Sequence, residues 1–271
     1  MRIASSSRWI LGEVESHIKT RNRKKAISHW KSRKSPFASN ETFRTHVMLT
    51  KNIEYVDLAE VCFFSFLHHH PNTQFIFHCD ETTMEYAIEK FSLGSGNTRV
   101  DFEKISNQSG LNWQEQKLEI ILSLSGSSDL MLDADLRWNA TLEKREEVLF
   151  LVKEFDFKDK SPFREIVKNT NIGGVNASMK NTSVFTFGGF KLSVADVDLI
   201  RQTLRQYREV VDSKIVGNQD KADIGRVIEQ FVLSVCSEKW QKTIGFVKET
   251  DKPFDGGIVE SCYFGATGGK F

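Results

Sequence analysis

The spacing of hydrophobic and polar residues between Thr45 and Asp135 predicts alternating strands and helices. Short apolar runs such as Gln74–His78 are typical of buried strands, while apolar residues three and four positions apart, as in Tyr55–Leu67, indicate amphipathic helices. The predicted strands cover residues 46–50, 74–78, 98–105 and 129–133, and the predicted helices cover 55–67, 82–91 and 112–124. This alternation favours an α/β fold with a mostly parallel central sheet and helices on both faces.

The pattern after Asp135 is less regular. It predicts one or two strands in 147–157, another strand at 184–187, and long helices over 193–211 and 224–240. Five glycines follow Asp255, and such a tail fits either a disordered terminus or a lid that orders over a bound ligand. We interpret 45–271 as one domain behind an N-terminal helical arm, 1–44.

The arm is strongly basic and the remainder of the chain is acidic. Residues 1–51 hold twelve Lys and Arg against three Glu, whereas the rest holds 25 basic and 33 acidic residues. The segment 8–34 combines apolar residues at helical spacing with a face rich in Lys and Arg. Such a helix either packs on the body through its tryptophans or makes peripheral contact with an anionic membrane surface. Because the body is acidic, no nucleic acid is expected as a partner.

Composition excludes several classes of protein. Of the 271 residues, 39% are hydrophobic and 27% are charged, which is typical of a globular chain. The apolar runs are shorter than the ~20 residues of a membrane span, and the first residues are Ser-rich where a secretory signal is apolar. Four cysteines without a C-x-x-C spacing favour reduced thiols. We therefore expect a cytoplasmic protein, with the arm allowing peripheral contact at the inner membrane face.

The segment most indicative of chemistry is Ser128–Asp135, in which an apolar strand ends in Asp-x-Asp. Side chains alternate along a strand, so Asp133 and Asp135 are expected to point the same way. Ligands of parallel sheets bind beyond the carboxyl ends of the strands, and two carboxylates repel each other there unless a cation lies between them. Oxygen ligands favour Mg²⁺ or Mn²⁺, which can hold a diphosphate and neutralise it as it leaves. Two solvated turn aspartates are the alternative.

Four blocks of the sequence together resemble the A-type fold glycosyltransferases, the nucleotide-diphospho-sugar transferases, and loosely their family-8 type. The first block is the helical segment Gln114–Glu119 with a basic residue, followed by the Asp-x-Asp strand Leu130–Asp135. The second is the strand segment 181–187, and the third is the acidic-Gln pair Glu229–Gln230. The fourth is the ending Cys-Tyr-Phe-Gly-x-x-Gly-Gly-Lys at 262–270.

The resemblance implies a metal-dependent hexosyltransferase that moves a sugar from a nucleotide-diphosphate sugar to a glycan, lipid-linked or other acceptor. Asp133 and Asp135 would bind Mn²⁺ or Mg²⁺ and the donor's ribose or diphosphate. The other implied donor contacts are Lys117 and Lys270 near the phosphates and Thr50, Lys51 and Asn52 around the base. Asn181 would lie near the sugar, and Glu229 or Gln230 near the acceptor. Glu229 and Asp135 would be the catalytic carboxylates.

Two departures from the family pattern affect the mechanism. The last histidine is His78, so Cys262 stands near the place of a late metal-ligating histidine, and a thiolate suits Mg²⁺ or Mn²⁺ poorly. Thr182–Ser183 replaces the usual step from a small residue to Gly after Asn181. An inverting enzyme needs a carboxylate base, whereas a retaining enzyme does not, and both stay open. The base candidates are Glu229 first and then Asp220 or Asp223, although Glu229 also fits a surface carboxylate paired with Arg226.

Two other functions compete with a transferase. An apolar strand ending in Asp-x-Asp also opens the haloacid-dehalogenase phosphatases, in which Asp133 would be the nucleophile. Against this, Arg137 stands where that pattern has Thr or Val, and the motif follows three earlier strands. The other alternative is a non-catalytic protein that binds a membrane or RNA through its basic arm.

Overall fold

The computed structural model describes residues 23–32, 35–50, 52–92, 99–105, 112–169, 177–212, 227–247 and 259–261. The helices are α1 (23–32), α2 (Ile53–His69), α3 (Met84–Ser92), α4 (Trp113–Ser123), α5 (Ser161–Asn169), α6 (Val194–Asp212) and α7 (Ile228–Ser237), with a 3₁₀ turn at Phe157–Asp159. The strands are β1 (Arg44–Leu49), β2 (Gln74–Cys79), β3 (Val100–Lys104), β4 (Leu130–Leu132), β5 (Leu136–Trp138), β6 (Val148–Phe150), β7 (Lys153–Asp156), β8 (Ser178–Lys180), β9 (Val184–Thr186), β10 (Ile244–Phe246) and β11 (Val259–Ser261).

A seven-stranded sheet with the order β10-β6-β9-β4-β1-β2-β3 forms the centre of the protein. β1 pairs in parallel with both β2 and β4, β2 pairs in parallel with β3, and β6 with β10. β9 runs antiparallel between β4 and β6. Two smaller sheets pair β5 with β11 and β7 with β8. The predicted α/β class with a mostly parallel central sheet is confirmed.

The two faces of the central sheet are buried under different helices, as predicted. Along β4, Leu130 and Leu132 belong to one apolar cluster with α2 and α3. Met131 between them belongs to a second cluster, with α4, α6 and α7. This division follows from the two-residue period of a strand, which sends alternate side chains to opposite faces.

Capping residues start two helices close to their predicted positions. Asn112 Oδ1 accepts a hydrogen bond from the Glu115 N–H, and the Glu115 carboxylate accepts one from the Asn112 N–H, which together form a capping box. Asn52 caps α2 in the simpler way, by accepting a hydrogen bond from the Glu54 N–H. Because of this cap, α2 begins two residues before the predicted helix 55–67.

The structure differs from the predicted elements mainly after Asp135. The helix predicted over 224–240 ends at Ser237, where the backbone N–H groups of Lys239 and Trp240 bond to carbonyls three residues earlier and tighten the last turn. Its predicted start, 224–226, lies outside the described residues. Helix α5 is not predicted. The strands β5, β8, β10 and β11 are not predicted either, and each has only three residues, which is too short to show a period.

The described part of the basic arm packs on the body. Ile27 of α1 is buried in the apolar cluster that contains α2, and the Arg137 guanidinium lies 5.8 Å from the ring centre of Trp30. Two ion pairs also join α1 to α2, Arg23–Asp57 and Lys31–Glu60. Residues 1–22 lie outside the described part, so the division into an arm over 1–44 and one domain over 45–271 stays a prediction.

Within the described residues, none of the helices is both long and apolar enough to span a bilayer. Cys62, Cys79 and Cys236 are buried free thiols, in agreement with the predicted reduced state, and Cys262 lies outside the described residues. Burial raises the pKa of Cys79 to about 12 and that of Cys236 to about 11. Both thiols are therefore protonated and unreactive at neutral pH.

His70, at the end of α2, is expected to make the stability of the fold sensitive to acid. Its Nε2 atom accepts a hydrogen bond from the Leu142 N–H at 2.9 Å, and the residue is fully buried. Burial, with a smaller effect of His69, lowers the pKa of His70 to about 4. The unfolded chain takes up this proton near pH ~6.5, so the stabilisation is complete above that pH and is lost as the pH falls to ~4, by about 3 kcal/mol.

Urea unfolding at about pH 7 and about pH 4.5 measures this effect. The amide oxygen of His70→Gln has the reach to accept the Leu142 N–H but does not titrate, so this variant should lose less stability on acidification than the wild type. His29→Gln, on the exposed side of α1, is the matched control and should follow the wild type. Equal losses in His70→Gln and wild type would contradict the expectation.

Candidate functional site

Several predicted site residues lie at one edge of the central sheet, where the parallel strands end. Thr50 follows β1, and Asp133 follows β4, its neighbour in the sheet. Because β9 runs antiparallel to β4, the residues that precede β9 lie at the same edge. The Asp133 N–H donates to the Ser183 carbonyl at 2.8 Å and joins the two segments. This is the edge at which open α/β sheets bind ligands.

Lys117 lies at the centre of a buried polar cluster at this edge. Its Nζ atom lies 2.6 Å from Asp133 Oδ1, 3.3 Å from Glu229 Oε1 and 3.4 Å from Thr182 Oγ1. Thr182 Oγ1 also donates to Glu229 Oε1 at 3.3 Å, and Ser183 Oγ donates to Asp133 Oδ2 at 2.6 Å. We call these five residues the lysine cluster. Its members come from segments 16, 65 and 112 residues away from Lys117.

Charge determines the state of the lysine cluster. Burial alone lowers the pKa of Lys117, but the Asp133 and Glu229 carboxylates raise it above its ordinary value, so Lys117 is a cation at neutral pH. Burial raises the pKa of Glu229, Lys117 opposes this rise, and Asp133 adds to it. Lys117 and Glu229 are each 1% exposed, whereas Asp133 is half-buried. The cluster thus places a fixed cation directly behind a carboxylate that solvent reaches.

A chain of hydrogen bonds links the lysine cluster to a further carboxylate, Glu154 of β7. Asn181 Oδ1 accepts from the Ser183 N–H at 2.8 Å, and Asn181 Nδ2 donates to Glu154 Oε1 at 2.7 Å. Asn181 is buried, while Glu154 is half-buried. Burial raises the pKa of Glu154, and the hydrogen bond from Asn181 only partly offsets this rise.

Helices α4, α6 and α7 hold the lysine cluster in position. Glu115, two residues before Lys117 on α4, forms an ion pair with Arg208 of α6. Leu118 and Ile121 of α4 pack in the same apolar cluster as Phe231 of α7. The packing of α6 and α7 against α4 therefore fixes the position of Lys117, and it does so without contacts at the ligand-binding edge of the sheet.

The remaining predicted site residues have more varied positions. Asn52 uses its Oδ1 to cap α2, at 2.9 Å from the Glu54 nitrogen. Asp135 is half-buried in the turn between β4 and β5, and Gln230 is half-buried beside Glu229 on α7. Five residues lie outside the described part of the chain, and their predicted roles stay predictions: Lys51, Asp220, Asp223, Cys262 and Lys270.

Asp133 keeps coordination capacity for a divalent ion. A carboxylate has about four lone-pair positions, and Asp133 uses two of them for Lys117 and Ser183. Asp135 follows two residues later, and both are the hard oxygen ligands that Mg²⁺ and Mn²⁺ prefer. No group of three or more His, Cys, Asp or Glu within the described ranges could hold a metal ion. Asp133 therefore suits a divalent ion that takes further oxygens from a ligand, and Asp135 is the nearest second carboxylate in the sequence.

Glu154 and Arg208 are the parts of this site that the sequence motifs do not predict. The pattern predicts strand structure around Glu154, but alternation shows only that Glu154 and Phe155 face opposite sides. The contact between Glu154 and Asn181 joins residues 27 positions apart. Arg208 reaches Glu115 across 93 positions. No local signal carries such contacts, because they depend on how the elements pack.

No protein-family model and no curated protein sequence matches the chain. Among solved structures, the chain is similar to mouse xyloside xylosyltransferase 1, with a TM-score of 0.45 and 11% identity over 76% of this chain and 85% of that one. The galactosyltransferase LgtC, in complex with donor and acceptor sugar analogues, gives a TM-score of 0.43 and 12% identity over 67% of this chain and 70% of that one. The apo glycosyltransferase GlyE of Streptococcus pneumoniae gives 0.43 and 15% over 75% and 45%. All three are glycosyltransferases by name, the class that the four sequence blocks resemble. At these TM-scores, any assignment of function depends on the residues of the site.

Proposed function

We propose that this chain is a glycosyltransferase that moves a sugar from a nucleotide-diphosphate sugar to a hydroxyl group of a glycan, lipid-linked or other acceptor. The observation that carries the proposal is the lysine cluster. Two of the sequence blocks that resemble the transferases supply Lys117, Asp133 and Glu229, and Lys117 contacts both carboxylates at the ligand-binding edge of the sheet. A half-buried carboxylate that a fixed cation holds from behind suits a divalent ion, and such an ion can in turn bind the phosphate groups of a ligand.

In this proposal Asp133 and Asp135 hold Mn²⁺ or Mg²⁺ together with the donor's diphosphate. Lys117 orients the Asp133 carboxylate through its ammonium group, which also contacts Glu229. A bound divalent ion supplies charge that neutralises the diphosphate as it leaves. The further donor contacts that we propose are Thr50, Lys51, Asn52 and Lys270, with Asn181 near the sugar and Gln230 near the acceptor.

Nucleotide diphosphates with Mn²⁺ should raise the melting temperature of the wild-type protein, and Asp135→Ala should remove that rise. A ligand at 100 times its Kd adds about 2.7 kcal/mol, which corresponds to roughly 5–10 °C for a domain of this size. Thermal unfolding with a panel of uridine, guanosine and adenosine diphosphate sugars measures the shift and identifies the base. Chelation of the metal with EDTA should abolish it.

Asp198→Ala is the matched control, because Asp198 is an exposed aspartate on α6, away from the Asp-x-Asp segment. It should keep the full shift. The absence of a shift with every nucleotide sugar in the wild type would count against a transferase. An equal shift in Asp135→Ala and Asp198→Ala would instead remove Asp135 from the donor site.

The basic arm suggests that the protein finds its acceptor at a membrane surface. Lys24 and Lys25 of α1 are exposed, whereas Arg23 and Lys31 are engaged by acidic residues of α2. We propose that this exposed basic face makes peripheral contact with anionic lipid at the inner membrane face of a cytoplasmic protein, which would bring the site near lipid-linked acceptors. Sedimentation with vesicles that contain phosphatidylserine, compared with neutral vesicles, tests this contact.

A further inference from the structure

Besides the Asp-x-Asp segment, Glu229 and Glu154 also contribute carboxylates to the hydrogen bonds of the site. The two differ in how far solvent and substrate can reach them. Glu229 is 1% exposed, and its Oε1 is occupied by Lys117 and Thr182. Its Oε2 is buried without a hydrogen-bond partner in the described part of the chain. A hydroxyl group of an acceptor would have to displace packed helix to reach either oxygen. Glu154, in contrast, is half-buried at the other end of this chain of hydrogen bonds.

The hydrogen bonds of Glu154 leave one of its oxygens available. Asn181 Nδ2 donates to Oε1 at 2.7 Å, which orients the carboxylate, and this is the one hydrogen bond that the described residues give to Glu154. None of the basic residues in the described ranges forms an ion pair with it; its neighbour Lys153 pairs with Asp156 instead. A half-buried carboxylate with a free oxygen and no cation is a strong hydrogen-bond acceptor for a neutral donor such as a hydroxyl group.

The position of Glu154 relative to the donor site follows from its links. Asn181 bonds to Glu154 on one side and to the Ser183 backbone on the other, and Ser183 bonds to Asp133. Glu154 is therefore two residues removed from the carboxylate that is proposed to hold the metal and diphosphate. Asn181, which is proposed above to lie near the sugar, links the two carboxylates.

We infer that Glu154 is the residue that accepts a hydrogen bond from the attacking acceptor hydroxyl, and that Glu229 is a positioning residue that acts through Lys117. This inference rests on the proposed function. It gives the acceptor side of the site a group that solvent and substrate can reach. It also explains why Asn181 is buried between two polar partners, since its amide fixes the direction in which Glu154 faces.

The pKa of Glu154 supplies a second observable. Burial raises this pKa above the ordinary value of 4.5, so the carboxylate loses its accepting oxygen by protonation at a higher pH than an exposed glutamate. The wild-type rate is therefore expected to fall as the pH is lowered through the pKa of Glu154. A glutamine at this position does not titrate, and the acid side of the profile should flatten.

The test measures release of nucleoside diphosphate from the nucleotide sugar that gives the largest thermal shift, with water and then with methyl glycosides as acceptors. Glu154→Gln keeps an amide oxygen for Asn181, so its fold and its donor-induced thermal shift should match the wild type. Its rate should fall at least ~10-fold with either acceptor, as expected for loss of a group that orients the nucleophile. Glu165→Gln on α5, also a partly exposed glutamate, is the control and should keep the wild-type rate.

The outcomes separate the inference from the proposed function. A wild-type protein that binds no nucleotide sugar, or binds one without releasing its diphosphate, overturns both. A wild type that binds and turns over a donor, combined with a Glu154→Gln variant of unchanged rate and unchanged pH profile, overturns the inference alone. A Glu154→Gln variant that loses its donor-induced thermal shift would place Glu154 on the donor side and would also overturn it.

Discussion

Lys117→Met should lower the free energy of unfolding by about 3–5 kcal/mol, because it leaves the buried Glu229 and the half-buried Asp133 without their cation. Lys117 is 1% exposed and contacts both Asp133 and Glu229. Methionine fills a similar volume, so the loss reports on charge rather than on a cavity. Urea unfolding at neutral pH measures the change. The same variant should lose the nucleotide-induced thermal shift, since Asp133 loses its ion pair and keeps only the hydrogen bond from Ser183.

A second substitution distinguishes charge from packing. In the double variant Lys117→Met, Glu229→Leu the buried pair is replaced by apolar side chains, and more than half of the lost stability should return. Lys104→Met, which removes an ion pair with Glu81 at the exposed edge strand β3, should be almost neutral. If the Lys117 and Lys104 variants unfold at the same urea concentration, the lysine cluster contributes nothing to stability. The double variant should stay folded and still bind no nucleotide.

The parts of the fold that local sequence signals specify could be predicted. Asn112 and Glu115 form the capping box of α4 within four consecutive residues, so one short segment of the sequence specifies where that helix begins. The Asp-x-Asp segment follows a buried strand, and the carboxyl end of this strand lies at the edge of the sheet expected for ligands. Helix α4 and strand β4 therefore bring Lys117 and Asp133 into contact at this edge of the sheet.

The arrangement of the later strands could not be predicted in this way. β9 enters the sheet between β4 and β6 and runs antiparallel to both, although each strand has only three residues. A three-residue strand has no measurable period, and its partners are set by packing rather than by its own composition. This pairing places Ser183 beside Asp133, so the most informative contact of the site depends on the least predictable part of the fold.

Glu229 shows why the surroundings of a predicted site residue cannot be read from its neighbours in the sequence. Its spacing from Arg226 suggested a surface pair, and the family resemblance suggested a residue near the acceptor. The structure buries Glu229 against Lys117, 112 residues earlier in the chain. Burial cannot be read from an isolated glutamate in a helix, because it depends on which face of α7 the sheet and α4 cover. Its part in catalysis stays a prediction.

Gly188→Ala should destabilise the fold by about 3 kcal/mol or more, through the turn that follows β9. Gly188 has a φ of 56°, and a Cβ atom there would lie 2.2 Å from the carbonyl oxygen of Glu147. The left-handed backbone adds roughly 1–2 kcal/mol for an L-residue, and the clash is with backbone that cannot rotate away. Glu147 directly precedes β6, which pairs with β9, so relief of the clash has to disturb that pairing.

Gly189→Ala provides the matched control for the clash, because the two glycines share the left-handed conformation but not the crowding. Gly189 has a φ of 83°, and the nearest atom to its added Cβ would be Ser128 Oγ at 3.7 Å, an ordinary contact. Its loss should therefore be limited to the backbone strain of roughly 1–2 kcal/mol. Urea unfolding of both variants isolates the clash as their difference. Equal losses would show that the backbone at Glu147 yields freely, and that the pairing of β6 with β9 does not constrain the turn.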